Sequence, residues 1–421
     1  MPFMKIKTKK YVFCAALLSF VGTQFARAQS SSLSSSPYSL YGLGVPNDTG
    51  VGTINALGKL GFAMPSLTSI NDKNPASLGR MTQKSFLFDV GMKAQRETVV
   101  NAFTEEARFN ANFSNISLAF PISEKSGVGI TLIPFTNVGY ILTGLENTIE
   151  GSTDTFLTNV NGSGGLNDFK FSYGYSVTDN FRVGASGSIL FGAIDETETN
   201  IIDDTALVIT EENYYAGFRF DVGLQYDWSP RTSFGLTAKF PTILNGSQSR
   251  IIETIGTATI TSREEDNDLE DFELPLELGV GFITRFMENK FTLNADYQHG
   301  FWETTEQKDF LGEYVDQQMF GLGLSYRKNP RALKYWERME YRAGINYDSG
   351  NLMVNDSRVE NYTFSAGVGL PISLRTNSML NISYSYGQKG RVSNGLIQEN
   401  FHLLTFNFSF DGKWFIKRKY D

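Results

Sequence analysis

Apolar and polar positions alternate with a period of two over much of this chain. From Tyr214 to Trp228 every second residue is apolar or aromatic: Tyr214, Ala216, Phe218, Phe220, Val222, Leu224, Tyr226 and Trp228. Between them lie Tyr215, Gly217, Arg219, Asp221, Gly223, Gln225 and Asp227. Such a run is long for a strand of a soluble protein. It suits a tilted strand crossing a bilayer, with lipid on one face and a polar lumen on the other. A lone strand would leave N–H and C=O groups unpaired in hydrocarbon, so neighbours must follow on both sides until the sheet closes.

About fourteen strand-like runs supply them: 84–100, 108–121, 127–143, 165–178, 181–195, 213–228, 232–245, 272–286, 290–303, 314–328, 339–349, 358–372, 379–388 and 399–411. The connections alternate between long (144–164, 196–212, 246–271 and 304–313) and short, with turn chemistry such as Ser229-Pro230-Arg231 and Met287-Glu288-Asn289. Outer-membrane barrels have short periplasmic turns and long outer loops. The expected fold is therefore all-β: a transmembrane antiparallel β-barrel of about 14 strands, with both termini periplasmic. One periplasmic connection, 329–338, is longer, basic and aromatic. A soluble β-sandwich or propeller is the competing architecture, but its strands are usually shorter and no blade-like repeat is visible.

The N-terminus changes the picture from β protein to exported β protein. Lys5, Lys7, Lys9 and Lys10 precede a mostly apolar stretch from Tyr11 to Gly22, and Ala26-Arg27-Ala28 fits a cleavage site, so 1–28 reads as a signal peptide. The single cysteine, Cys14, lies inside it, which leaves the mature chain without thiol or disulfide chemistry. Removing 1–28 takes away five of the 37 basic residues and none of the 45 acidic ones, so the net charge moves from −8 to about −13. A chain this acidic disfavours nucleic acid as a partner.

Residues 29–83 do not alternate. They begin Ser-rich and run through Pro37-Tyr38-Ser39-Leu40-Tyr41-Gly42-Leu43-Gly44 and a moderately apolar, Gly-containing stretch to Asn74-Pro75-Ala76-Ser77-Leu78. A disordered tail would be more polar than Ile54 to Ile70. A hatch folded up into the lumen from the periplasmic mouth fits better. The division expected is signal peptide 1–28, hatch 29–83, barrel 84–411 and a periplasmic tail 412–421.

Asn74-Pro75-Ala76 followed by Leu78, closing such a segment just before the first strand, resembles the long-chain fatty-acid transporter (FadL-like) family of outer-membrane barrels. The opening Ser36-Pro37-Tyr38-Ser39-Leu40-Tyr41-Gly42-Leu43-Gly44 also looks like a group of Bacteroidota outer-membrane proteins with the same barrel, some of which accompany type IX secretion or other large assemblies. The first resemblance implies fourteen strands, a hatch and passive passage of hydrophobic small molecules, with Asn74, Pro75, Ala76 and Leu78 as the hatch motif. The second implies, as an alternative, a non-transporting accessory barrel. The partners expected are outer-membrane lipid, a hydrophobic small molecule and other outer-membrane or periplasmic proteins.

Pro134 is the sharpest local feature. It lies within Ile130-Thr131-Leu132-Ile133-Pro134-Phe135, where the apolar phase also slips. Proline cannot donate to a ladder and a closed barrel offers no edge to hide it, so a bulge or kink is expected. The resemblance implies that such a kink in the third strand opens the wall sideways. The Gly-x-Gly pairs at 127/129, 279/281, 321/323 and 367/369 lack a following helix and a third glycine, so they read as small lumen-facing residues rather than a nucleotide loop. The acidic run Arg263 to Asp271 lacks the spacing and glycine of a calcium loop. His299 and His402 are the only histidines, with no Gly-x-Ser-x-Gly, so neither an enzyme, a cofactor nor a metal site is expected. Trp228, Trp302 and Trp414 fall near strand ends, as interfacial anchors do.

Overall fold

In the computed structural model, the expected runs become the strands of one closed sheet. It describes residues 36–413 except 48, 102–104, 150, 152–154, 203–204, 256–259, 310–311, 375 and 394–395. The expected signal peptide and Trp414 with the rest of the tail lie outside these residues. The 14 strands are β1 (Ser85–Val100), β2 (Glu105–Ser123), β3 (Ser126–Pro134, continued by Thr136–Thr148), β4 (Thr155–Ser176), β5 (Phe181–Ile202), β6 (Thr205–Asp227) and β7 (Thr232–Lys239, continued by Thr242–Ile255). Then come β8 (Ile260–Leu274, continued by Glu277–Phe286), β9 (Phe291–Gly300), β10 (Gln317–Tyr326), β11 (Glu340–Asp348), β12 (Asn361–Pro371), β13 (Met379–Lys389) and β14 (Gln398–Lys413). Each pairs antiparallel with the next, and β14 returns to β1 from Ser85–Lys413 to Val100–Gln398. Closure removes the sheet edges that a bilayer would not tolerate, except along the upper parts of β2 and β3, which do not pair with each other among the described residues.

The alternation reads inside-out relative to a soluble protein. On β6, Phe218 is 65% exposed while its neighbour Arg219 is 4% exposed; Phe220 and Leu224 face out and Asp221, Gln225 and Asp227 face in. Lipid is the solvent for the outer wall, so the apolar face points outward and the lumen holds the polar side chains.

The long connections differ from expectation. Most of 144–164, 196–212 and 246–271 continues the strands as tall hairpins. β6 is 23 residues long; at about 3.3 Å per residue it runs about 75 Å, more than twice the ~30 Å hydrocarbon core. The acidic run that looked like a loop is part of β8. Its backbone pairs with β7, Arg263 opposite Ile251 and Asp268 opposite Ser247.

Residues 36–84 fill the lumen with short 3-10 turns at Pro37–Leu40, Gly52–Ala56 and Pro75–Arg80. The described start lies at the long-connection end of the lumen. Ser36 donates its hydroxyl to Glu399, and Tyr38 donates to the carbonyl of Ile397, both at the long-connection end of β14. The segment then descends, and its last turn lies at the short-turn end, where Ser176 donates to the carbonyl of Gly79. Above Tyr38, the connections after β9 and β11 form a small antiparallel sheet, in which Gly312–Tyr314 pairs with Leu352–Val354. Tyr38, Leu352, Val354, Val359 and Leu396 form a buried apolar cluster there.

Candidate functional site

Asn74 caps the last turn of the hatch. Its Oδ1 accepts the N–H of Ala76 at 3.0 Å, and its Nδ2 donates to the carbonyls of Phe62 (2.7 Å), Leu224 (3.0 Å) and Leu236 (3.3 Å). These partners, one donor and three acceptors, fix which way the amide points. Pro75 follows at the first position of the turn, where a missing N–H is harmless. Asn74 and Ala76 are fully buried and Leu78 nearly so.

The turn sits in a seat made by absent side chains. Gly127, Gly174, Gly184 and Gly223 are directly opposite one another on β3, β4, β5 and β6. A Cβ on Gly223 would lie 2.1 Å from Asn74 Oδ1, one on Gly184 2.4 Å from Ala76 N, and one on Gly127 2.6 Å from the Leu78 carbonyl oxygen. The same principle extends round the wall. Gly279 and Gly281 back onto Phe62, and Gly321 and Gly323 onto Gly58 and Leu57. At Gly127, Gly281, Gly321 and Gly323 the wall backbone thus touches the hatch backbone, whereas Gly369 instead faces the Arg342 guanidinium.

Charges complete the seat. Asp227 takes Arg182 on both oxygens at 2.8 Å and Arg80 of the hatch at 2.6 Å. Phe62 donates its N–H to Asp296 at 2.9 Å. Asn115 donates to Asp89 at 2.7 Å, and Asn407 joins both to Asn55 of the hatch. Burial alone would raise the Asp72 carboxyl, but Lys73 and Lys170 outweigh it and hold it below the usual carboxylate range.

Pro134 ends the lower half of β3, opposite Asn167. The chain turns at Phe135, whose N–H reaches the carbonyl of Leu166 at 2.7 Å, and the upper half resumes at Thr136. Gly164 and Gly165 on β4 accommodate this break with φ of +116° and +134°; a side chain on Gly165 would meet the Thr136 carbonyl at 2.4 Å. The ladder between β2 and β3 stops at Ile116–Leu132. Above that rung, among the described residues, Glu105 to Asn115 pairs only with β1. The facing edge of β3 pairs only with Val45–Pro46 of the hatch, at Asn137 and Thr136. Asn47 donates to the Phe135 carbonyl and accepts from Lys93. The wall therefore has a break, partly filled from inside by residues 45–47.

Inside, beside this break, lies a buried apolar cluster that includes Leu43, Val138, Leu190, Leu244, Phe272 and Trp302. Trp302 is not the interfacial anchor expected from its place near a strand end. It stacks on Tyr314 at 5.1 Å, with Phe272 edge-on to both. Trp228, by contrast, is exposed. Beneath the cluster is a cavity of about 200 Å³, reached by Pro134, Phe135, Leu190 and Trp302. Its floor is charged: Lys170 pairs with Asp221 (3.1 Å), and Glu277 takes Arg219 (3.0 Å) and Lys239 (2.8 Å). The histidines lie elsewhere. His299 faces Asp316 at 3.4 Å, and His402 meets Tyr384 at 2.7 Å.

The hatch motif and Pro134 are separate places, not one site. Sequence reasoning missed Phe135, Leu43, Trp302 and the Gly164-Gly165 pair, of which Gly164 closed a stretch read as loop and Gly165 opened the next strand-like run. Two adjacent glycines opposite a strand proline were the available signal.

In fold the chain is similar to the Ralstonia pickettii toluene transporter TbuX, at TM-score 0.61 and 16% identity over 86% of this chain and 98% of that one. The Pseudomonas putida toluene transporter TodX gives TM-score 0.58 and 14% identity, over 88% and 99% of the two chains. A Pseudomonas aeruginosa FadL homologue gives 0.57 and 13%, over 89% and 100%. At these identities the likeness is one of fold: an outer-membrane FadL-like barrel. No curated protein matches the sequence. The family model that does match, BamG, takes in residues 7–421, and the chain belongs to the BamG family.

Proposed function

We propose that this barrel passively takes up a hydrophobic, fatty-acid-like small molecule and releases it sideways into the membrane between β2 and β3. The observation that carries the reading is the ladder's end at Ile116–Leu132, beside a buried apolar cluster and a cavity. Ligand enters from the long-connection side and rests with its apolar part against Leu190, Phe272 and Trp302. Its polar end lies toward Lys170 and Arg219. Burial supplies the affinity, at about 25 cal/mol per Å². It leaves past Pro134 and Phe135 when Val45–Pro46 gives way. The densely bonded motif Asn74-Pro75-Ala76 with Leu78 anchors the hatch during this step. No cofactor takes part. The likeness to barrels described as toluene transporters and a FadL homologue agrees with this path. Residues 1–28 act as the signal peptide, and 29–83 as the hatch.

A long-chain fatty acid carrying a photoreactive diazirine tests this. Labelling of the peptides holding Phe135, Leu190 and Phe272, reduced by Leu190→Trp, is the expected result. Labelling only of the outer wall around Phe218 and Phe220 refutes it.

A second reading, a non-transporting accessory barrel of an outer-membrane secretion or assembly complex, is favoured by the connection after β10. Leu333 there is 97% exposed and Trp336 62%, flanked by Arg331, Lys334 and Arg338. Affinity purification in mild detergent separates the two. A stoichiometric protein partner supports the accessory role, and a lone barrel carrying lipid supports uptake.

A further inference from the structure

We propose that the short-turn end of the lumen holds a second site, which binds an oxyanion, a carboxylate or phosphate group. A cavity of about 310 Å³ opens there between the hatch and the wall. Arg285, Lys290, Arg327 and Arg342 line it, and Glu340 is the one acidic residue among its lining. The cavity near Trp302 differs: five basic residues line it against five acidic ones, and several pair with each other. In a chain whose net charge is −8, a concentration of positive charge at one cavity runs against composition.

The barrel register builds the site. Arg285 on β8, Thr292 on β9, Ser325 on β10 and Arg342 on β11 stand directly opposite one another in one row. Two arginines thus flank two short hydroxyl side chains, which leave the space beneath the guanidinium groups open and offer further donors. Arg327, just past the end of β10, reaches the same place. Arg342 Nε donates to Glu340 at 2.9 Å and Arg327 donates to the other oxygen of that carboxylate. Both guanidinium groups also approach the sulfur of Met379, at 3.9 and 3.7 Å. One carboxylate between two guanidinium groups leaves positive charge over.

Donors are left over as well. Among the described residues, Arg327 Nε is buried with no hydrogen-bond partner. The Arg285 guanidinium makes no ion pair or hydrogen bond among the described residues. A buried donor without a partner is costly, and a forked guanidinium is satisfied best by a carboxylate or phosphate. Leu57, Met64 and Pro65 of the hatch line the other side with low-dielectric surface, which strengthens the field on a bound anion. The site does not depend on hydrophobic uptake.

The test uses the full chain in an uncharged glycoside detergent, with inorganic phosphate and dodecyl phosphate titrated by calorimetry. Saturable binding is expected, weakened about tenfold or more in Arg285→Gln and in Arg327→Gln. Lys334→Gln, on the exposed connection, serves as the unchanged control. Arg285 has no ion pair or side-chain hydrogen bond to lose among the described residues, so its variant is expected to keep the heat-modifiable gel mobility of a folded barrel. Binding of inorganic phosphate assigns the site to a free anion. Binding of dodecyl phosphate alone assigns it to the head group of an amphiphile. No saturation with either probe, or equal binding by Arg285→Gln and the wild type, overturns the proposal.

Discussion

Replacing Asn74 separates a helix cap from a wall anchor. Asn74→Ala removes the acceptor of the Ala76 N–H and the donor to three carbonyls. Phe62 keeps a donor, because Gln225 Nε2 also reaches its carbonyl at 3.0 Å. The main loss is therefore the cap, which leaves the buried Ala76 N–H unpaired, about 1–3 kcal/mol. That corresponds to about a 5- to 150-fold fall in the protection of the hatch turn. Asn74→Asp is the sharper probe. Aspartate is as good a cap as asparagine, so a cap alone predicts no loss. Here its second oxygen would face three carbonyl oxygens in a fully buried place, and repulsion adds to the lost donors. Asn74→Asp is thus expected to be worse than Asn74→Ala. Hydrogen exchange of residues 76–80, read by mass spectrometry on the folded barrel, measures both. Wild-type protection in Asn74→Asp, or less than a threefold change in Asn74→Ala, would refute the reasoning.

Other predictions follow from the same geometry. Gly184→Val places a side chain against Ala76 N and should unseat the hatch at a cost of about 1–3 kcal/mol, seen as faster trypsin cleavage at Arg80. Asp227→Asn leaves Arg182, which is almost fully buried, without its counter-charge; about 3–5 kcal/mol is expected, read from the urea midpoint beside an Arg182→Met, Asp227→Leu double variant that should recover part of it. Trp302→Ala should enlarge the lumen cavity at a cost of about 3–5 kcal/mol and raise the binding of a small aromatic probe in place of the lost ring. Because the folded Asp72 carboxyl is held below its usual range, its stabilisation of the hatch is fully present above the ordinary carboxylate pKa of about 4 and lost as pH falls through the lower folded value; exchange protection near Asp72 should be flat from pH 8 to 5 and drop below about 4, with that drop reduced in Asp72→Asn.

Much of the wall was legible because lipid and lumen impose a strict period of two. Every expected run overlaps a strand, and Pro134 marked a real break in β3. The tall hairpins were hidden because 196–212 and 246–271 leave the lipid, where no solvent forces apolar residues to one face. Trp302 was misplaced because a tryptophan near a strand end has the same local pattern whether its ring turns outward or in. The floor pairs, such as Lys170 with Asp221, join strands through barrel register, which no single run displays. The cationic cavity was invisible for the same reason: Arg285 and Arg342 are brought into one row only when β8 to β11 pair.

The glycine seats also constrain how the protein is made. The described hatch runs from Glu399 at one end of the lumen to Asp227 and Gly79 near the other, and backbone touches backbone along the way. At those contacts the seat is tight, so a hatch laid in place before β1 closes on β14 is the expected order of assembly; a barrel closed without residues 36–84 that later accepts them as a separate peptide would refute it.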